Sequence, residues 1–146
     1  MIPLEEQNII LELESTGKES ILRELAENAH HQAPAISTET IFQVLKEREH
    51  LGSTGVGNGV AIPHGKLPGL DKLLLCFARS RAGIGFEAKD NRPVHLFVAI
   101  LSPLNDSDQY LQTLARVSKL LKDDTIRNKF IQATSSKTIF QLFNRI

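Results

Sequence analysis

Two apolar runs, residues 73–78 (LLLCFA) and 94–101 (VHLFVAIL), limit what this chain can fold into more than any other feature. Both are short and bounded by turn-forming residues, and the second is rich in β-branched and aromatic side chains. A strand with one face in water alternates apolar and polar residues; these runs read instead as strands buried on both faces. The covering layers are legible as helical periodicity. Ile21, Leu22, Leu25, Ala26 and Ala29 share one face of an expected helix that begins near Thr16, where Glu19 completes a capping-box pattern, and runs to about His31. Pro34 marks a break, after which Ser37 caps a second expected helix ending near Glu49, with Ile36 and Ile41 placed as a hydrophobic staple. Residues 107–122 carry Leu111, Leu114, Val117 and Leu121 at helical spacing, and shorter helical segments over 124–132 and 136–145 close the chain. Residues 8–13 read as a further strand. Alternating helices and continuous apolar strands imply one α/β domain over residues 1–146, its sheet covered on both sides.

Charge removes several function classes. The 17 Lys and Arg balance the 17 Asp and Glu without long blocks of either sign, which excludes the electrostatic footprint of a nucleic-acid binder. The first residues lack the basic region and long apolar stretch of a signal peptide, and no apolar run approaches membrane-spanning length. The expectation is a soluble cytoplasmic protein without membrane insertion. Cys76, the only cysteine, lies inside an apolar run and reads as a buried, inert thiol.

The chemistry concentrates in residues 52–66 (GSTGVGNGVAIPHGK), which hold five of the nine glycines. That density points to positive φ angles or to close approach by another group. Val60 to Ile62 then delivers the chain to His64. Pro63 fixes its own φ and offers no donor, and Gly65 removes bulk on the other side, an arrangement suited to a histidine meant to be reached. The alternative from the residues alone is a glycine-rich turn ending in a satisfied strand histidine. A dinucleotide fingerprint is disfavoured because a proline-terminated apolar run stands where the helix is required. A P-loop is excluded by the five residues between Gly59 and Gly65, and by Leu67 following Lys66 where Ser or Thr binds magnesium. Ser53 has Leu51 where a G-x-S-x-G nucleophile elbow needs a glycine two positions earlier, and the remaining histidines form no metal-ligand spacing. Of these, His30 and His31 are expected on the carbonyls of a helix C-terminus, His50 in solvent, and His95 as a satisfied strand histidine.

The same fifteen residues, with G-x-G-x-G-x-A-x-P-H from Gly55 to His64, resemble the active-site signature of type-2 IIA domains of the bacterial phosphotransferase system. That family includes fructose, mannitol and nitrogen-regulatory members, and the segment looks closest to the nitrogen-regulatory branch. The resemblance continues through Arg48, Asn91-Arg92-Pro93-Val94 and the Leu111-x-x-Leu114-Ala115 helix, covering essentially the whole chain. It implies a mixed, mostly parallel β-sheet flanked by helices on both faces. It also implies that His64 accepts a phosphoryl group from an HPr-like donor and that Arg48 stabilises the incoming charge.

Neutral imidazole is a competent nucleophile near pH 7, so the implied chemistry calls for no metal and no cofactor. Backbone N–H groups around Gly55, Gly57, Asn58 and Gly59 are expected to cradle phosphoryl oxygens. One position departs from the branch. Where its members commonly carry a second histidine in a His-Leu-x-x-Leu pattern, this chain has Tyr110 before Leu111 and Leu114. A phenol can hydrogen-bond there but stays uncharged near neutrality. Three functions follow as expectations. The first is a nitrogen-regulatory carrier acting on target proteins through its phosphorylation state, consistent with a chain ending at Ile146 without a transporter domain. The second is a sugar-specific IIA component passing phosphate to a IIB domain. The third is an interaction module that has lost transfer, suggested by Tyr110 and opposed by the intact His64.

Overall fold

The computed structural model describes residues 4–144. Its organising element is β6 (Val94–Ser102), hydrogen-bonded along one edge to β5 (Leu74–Ile84) and along the other to β3 (Val60–Ala61) and then β4 (His64–Lys66). Two further short strands, β1 (Ile9–Ile10) beside β5 and β2 (Gly55–Gly57) beside β3, complete six strands. Three of the five pairings are parallel, as the resemblance implies, but the longest ladder, β5 with β6, is antiparallel.

Alternation along β5 and β6 accounts for the unbroken apolar runs. Leu74, Cys76 and Ala78, with Phe97, Ala99 and Leu101, face α1 (Lys18–Gln32) and α2 (Thr38–His50). Leu75 and Phe77, with Leu96, Val98 and Ile100, face α3 (Ser107–Leu121), α4 (Asp124–Gln132) and α5 (Ser136–Phe143). On this second side Phe77, Phe130 and Phe143 form a triangle with ring centroids 5.1–5.7 Å apart. Each ring so buried contributes about 1.5–3 kcal/mol. Burial also pushes the Cys76 thiol far above its ordinary range, in keeping with an inert cysteine. Among the described residues no helix is long and apolar enough to cross a membrane.

Several boundaries differ from the sequence reading for local reasons. The expected strand over 8–13 is a 3-10 turn (Glu6–Asn8) followed by the two-residue β1, after which the chain rejoins the sheet only where Leu13 N–H donates to the Arg79 carbonyl. The Thr16–Glu19 capping box does not form. Extended Gly17 takes the N-cap position, the Ser20 hydroxyl accepts its N–H, and Glu19 instead pairs with Lys46 of α2 at 3.1 Å. Glu24, one turn later, accepts the Ser15 N–H and hydroxyl. Ser37 caps α2 as expected, accepting the Thr40 N–H at 3.1 Å, and Asp123 and Ser135 cap α4 and α5. The last helix ends at Phe143, and the expected end at Arg145 lies outside the described residues.

One buried charge ties the layers together. Arg79, 2% exposed on β5, donates through Nη1 to the carbonyls of Phe130, Ile131 and Ala133 at the end of α4, the last of which also accepts from Arg81 Nη2 at 3.0 Å. Replacing it with an uncharged chain of similar length removes these donors and leaves the carbonyls buried. Arg79→Met is expected to cost about 2–4 kcal/mol of stability, read as a lower urea midpoint, with faster amide exchange concentrated in α4. An unchanged midpoint would mean that water satisfies those carbonyls as well as the guanidinium does.

Candidate functional site

The glycine segment folds as a tight reversal feeding two short parallel strands. Asn58 (φ 57°) and Gly59 (φ 77°) both occupy the left-handed region, the conformation that Asn-Gly pairs adopt most readily in hairpin turns. The turn is pinned by Asp90, whose carboxylate accepts the Asn58 N–H at 3.0 Å, and by the Gly59 carbonyl, which accepts from His95 and Leu96. From there β3 runs beside β6 with Val60 opposite Leu96. Pro63 accepts the Ile100 N–H through its carbonyl, and β4 begins with His64 opposite Ile100. Gly65 has a role different from the open access expected of it. It is buried, and a Cβ there would lie 2.7 Å from Val44 Cγ1, so its lack of a side chain lets α2 settle onto the strand beside His64.

The imidazole is held in one tautomer. His64 Nδ1 lies 2.7 Å from the Ile62 carbonyl oxygen, and because a carbonyl only accepts, Nδ1 carries the hydrogen and Nε2 keeps its lone pair. Partial burial depresses the pKa of His64, the Ile62 hydrogen bond opposes that shift, and the Arg48 guanidinium adds to it. The net direction is downward, so the ring is neutral at physiological pH.

Around His64 opens a groove of about 570 Å³, whose lining includes Arg48, Leu51, Lys66, Tyr110 and Leu111. Arg48 comes from the last turn of α2 and donates through Nη1 to the Gly52 carbonyl at 2.9 Å. Its neighbour Glu49 points inward, where the carboxylate accepts the Thr54 N–H (3.0 and 3.1 Å) and hydroxyl (2.6 Å) and pairs with Lys18 at 3.2 Å. The residues following α2 are thereby clamped beneath Arg48. Tyr110 enters from α3, its ring 6.0 Å from that of His64 and tilted by 55°. Burial pushes its phenol up to about 12, with Arg48 acting in the opposite direction, so Tyr110 stays uncharged.

Of the residues singled out in the sequence, His64, Arg48 and Tyr110 therefore meet in one groove. Gly55, Gly57, Asn58 and Gly59 do not line it. They pack against the connection between β5 and β6, where a Cβ on Gly55 would collide with Ala88 at 2.7 Å and one on Gly57 would touch Asp90. The separation follows from register: Val60 and His64 lie opposite Leu96 and Ile100, four residues or about 13 Å apart along an extended strand. Sequence reasoning passed over Lys66, Leu51 and Leu111. Alternation places Lys66 on the same side of β4 as His64, a signal available only once a strand starting at His64 is recognised. The other histidines are structural or solvated. His30 donates from Nδ1 to the Ile36 carbonyl beyond the helix rather than to the end of α1, His95 is satisfied by the Ser80 and Arg81 carbonyls, and His50 is exposed.

A titration tests this geometry without any partner. His64 is expected to protonate below the ordinary histidine value of about 6.5 and to show the Nδ1–H tautomer in nitrogen-15 spectra above it. Acid then removes the Nε2 lone pair only as pH falls through that depressed value. A hydrogen carried on Nε2 contradicts the Ile62 anchor, and a ring that titrates at or above about 6.5 contradicts the dominance of burial and Arg48 over that hydrogen bond.

Residues 3–146 match the family described as phosphoenolpyruvate-dependent sugar phosphotransferase system, EIIA 2. The chain is 39% identical over 134 residues to a nitrogen regulatory protein of Bradyrhizobium diazoefficiens, covering 92% of this chain and 87% of that protein. It is 34% identical over 131 residues to a PTS system fructose-specific EIIA component of Haloferax volcanii, covering 90% and 85% of the two. The crystal structure of nitrogen regulatory protein IIA-Ntr from Neisseria meningitidis superposes with a TM-score of 0.90 at 30% identity, over 94% of each chain. On the match across its length and the shared fold, the chain belongs to the EIIA type-2 family of the phosphotransferase system.

Proposed function

We propose that the chain is a cytoplasmic phosphohistidine carrier that takes a phosphoryl group from an HPr-like donor onto His64 and regulates partner proteins according to its phosphorylation state. The observation that carries this reading is the anchored imidazole: Nδ1–H is committed to the Ile62 carbonyl, which leaves Nε2 as the basic atom of a neutral ring beside a guanidinium. In the transfer, the Nε2 lone pair forms a bond to phosphorus while the donor's N–P bond breaks and its electron pair returns to the donor nitrogen. The His64 ring becomes positively charged and keeps Nδ1–H on the Ile62 carbonyl, which accepts more strongly from a cation. No further co-reactant is needed, and the protein's task is alignment and charge stabilisation.

Arg48 supplies the first stabilising charge, with guanidinium nitrogens beyond the one bound to Gly52 available to the phosphoryl oxygens. Tyr110 offers one neutral donor. The glycine turn, set apart from the groove, enters this proposal as the scaffold that aims β3 and β4 rather than as a phosphate cradle. Leu51 and Leu111, 84% and 62% exposed on the groove's lining, suit a protein docking face. Phosphorylation places roughly −1.5 to −2 charges next to that apolar face, enough to change which partners bind it.

A second reading is a sugar-specific IIA component that passes the group to a IIB domain, and the likeness to a fructose-specific component favours it. Its first half-reaction is the same.

Incubation with a phosphorylated HPr-like protein is expected to add one phosphoryl mass to the parent and none to His64→Ala, with an adduct that is labile in acid and stable in alkali. A phosphorylated His64→Ala protein or an acid-stable adduct would sink the assignment. Different partner sets for the free and phosphorylated forms support regulation, whereas identical sets with fast transfer to a IIB protein support the sugar-specific reading.

Arg48→Lys is expected to slow transfer by about tenfold or more, because an ammonium cannot engage two oxygens as a guanidinium fork does. Tyr110→Phe removes only the hydroxyl and is expected to slow transfer by a factor corresponding to about 1 kcal/mol, while Tyr110→His is tolerated and adds a pH dependence near neutrality. Parent-like rates and pH profiles in both Tyr110 variants would reduce its role to packing.

A further inference from the structure

We infer that Lys66 is the second phosphoryl-binding cation of the site, in direct contact with the group carried on His64; the inference rests on the carrier reading above. The argument begins with β4. Gly65 faces inward against Val44, so His64 and Lys66 leave the strand together on the opposite side, with Cα atoms about 7 Å apart. Both line the same groove. Lys66 Nζ is drawn toward α3 by the Ser107 hydroxyl at 2.6 Å, one helical turn before Tyr110. The ammonium is thereby held at the α3 side of the groove, while Arg48 comes in from α2.

Charge then decides what the ammonium is for. Lys18 and Lys46, which line a separate cleft together with Glu19 and Glu49, are each neutralised by a carboxylate, Glu49 and Glu19 respectively. Lys66 has an uncharged hydroxyl as its hydrogen-bond partner and, among the described residues, takes part in no ion pair. A phosphoryl group brings roughly −1.5 to −2 charges, more than one guanidinium balances, and Tyr110 contributes none because its phenol is neutral. Besides Arg48, Lys66 is the cationic residue on the groove's lining, and Glu47, the one carboxylate there, adds to the negative charge to be balanced. It therefore supplies charge on the side of His64 where Tyr110 stands in place of a titratable imidazole.

The test separates this contact from a docking role. Lys66→Met and Lys66→Arg are made in the full chain; the side chain is exposed, so both are expected to fold, which thermal melts verify. Transfer from a phosphorylated HPr-like donor is resolved into kcat and KM, and each isolated phosphoprotein is titrated by phosphorus-31 NMR. For Lys66→Met, kcat is expected to fall about tenfold, with Lys66→Arg within about threefold of the parent. The phosphorus resonance of the Met variant should titrate at higher pH than the parent's, since losing a neighbouring cation raises the pKa of whichever group of the phosphohistidine takes the proton. The Arg variant should titrate like the parent. A raised KM with unchanged kcat would assign Lys66 to donor docking and overturn the inference, as would an unshifted phosphorus titration in Lys66→Met. A parent that acquires no phosphoryl mass would instead overturn the carrier reading itself.

Discussion

The parallel pairing of β3 and β4 with one edge of β6 is the constraint on which the site depends. Because β6 is already committed to β5 on its other edge, the chain leaving the glycine turn has a single line of hydrogen-bonding groups to follow. Register then delivers His64 opposite Ile100 with no freedom to slip, since a one-residue shift would move Val60 and Ile62 out of the apolar layer beneath α3 to α5. The Ile62 carbonyl that orients the imidazole is thus placed by the sheet.

Two helices complete the arrangement by different means. The last turn of helix α2 holds consecutive residues of opposite charge, and helical geometry sends them to different surroundings: Glu49 into a buried knot with Thr54 and Lys18, Arg48 into the groove. A buried carboxylate with three partners is costly to disrupt, so the residues after the helix are held in place where Arg48 finds the Gly52 carbonyl. Helix α3 contributes through Ser107 and Tyr110, one turn apart, which meet Lys66 and His64, two residues apart on β4. A helix and a strand of different period are matched at two points, which sets the groove's width.

The electrostatics favour a neutral imidazole at His64. Burial and Arg48 both disfavour an imidazolium, while the Ile62 carbonyl opposes them only in part. On the carrier reading proposed above, the Arg48 guanidinium that helps keep the free ring neutral would stabilise it once it carries negative oxygens, so the same charge acts in opposite directions on the two states.

The sequence by itself determined much of this. Unbroken apolar runs forced strands covered on both faces, helical spacing and caps such as Ser37 located the helices, and the Gly52–Lys66 motif singled out His64 and, by resemblance, Arg48. Only the tertiary structure decided what lies next to what. That the glycine turn stands about 13 Å up the sheet from His64 depends on strand register, which motif spacing does not encode. That Gly65 admits Val44, that Glu19 pairs with Lys46 instead of capping its own helix, and that His30 reaches the Ile36 carbonyl are contacts between elements. Lys66 remained hidden for the same reason: a lysine's charge is legible anywhere in a sequence, but whether a carboxylate neutralises it is settled by the packing of distant segments.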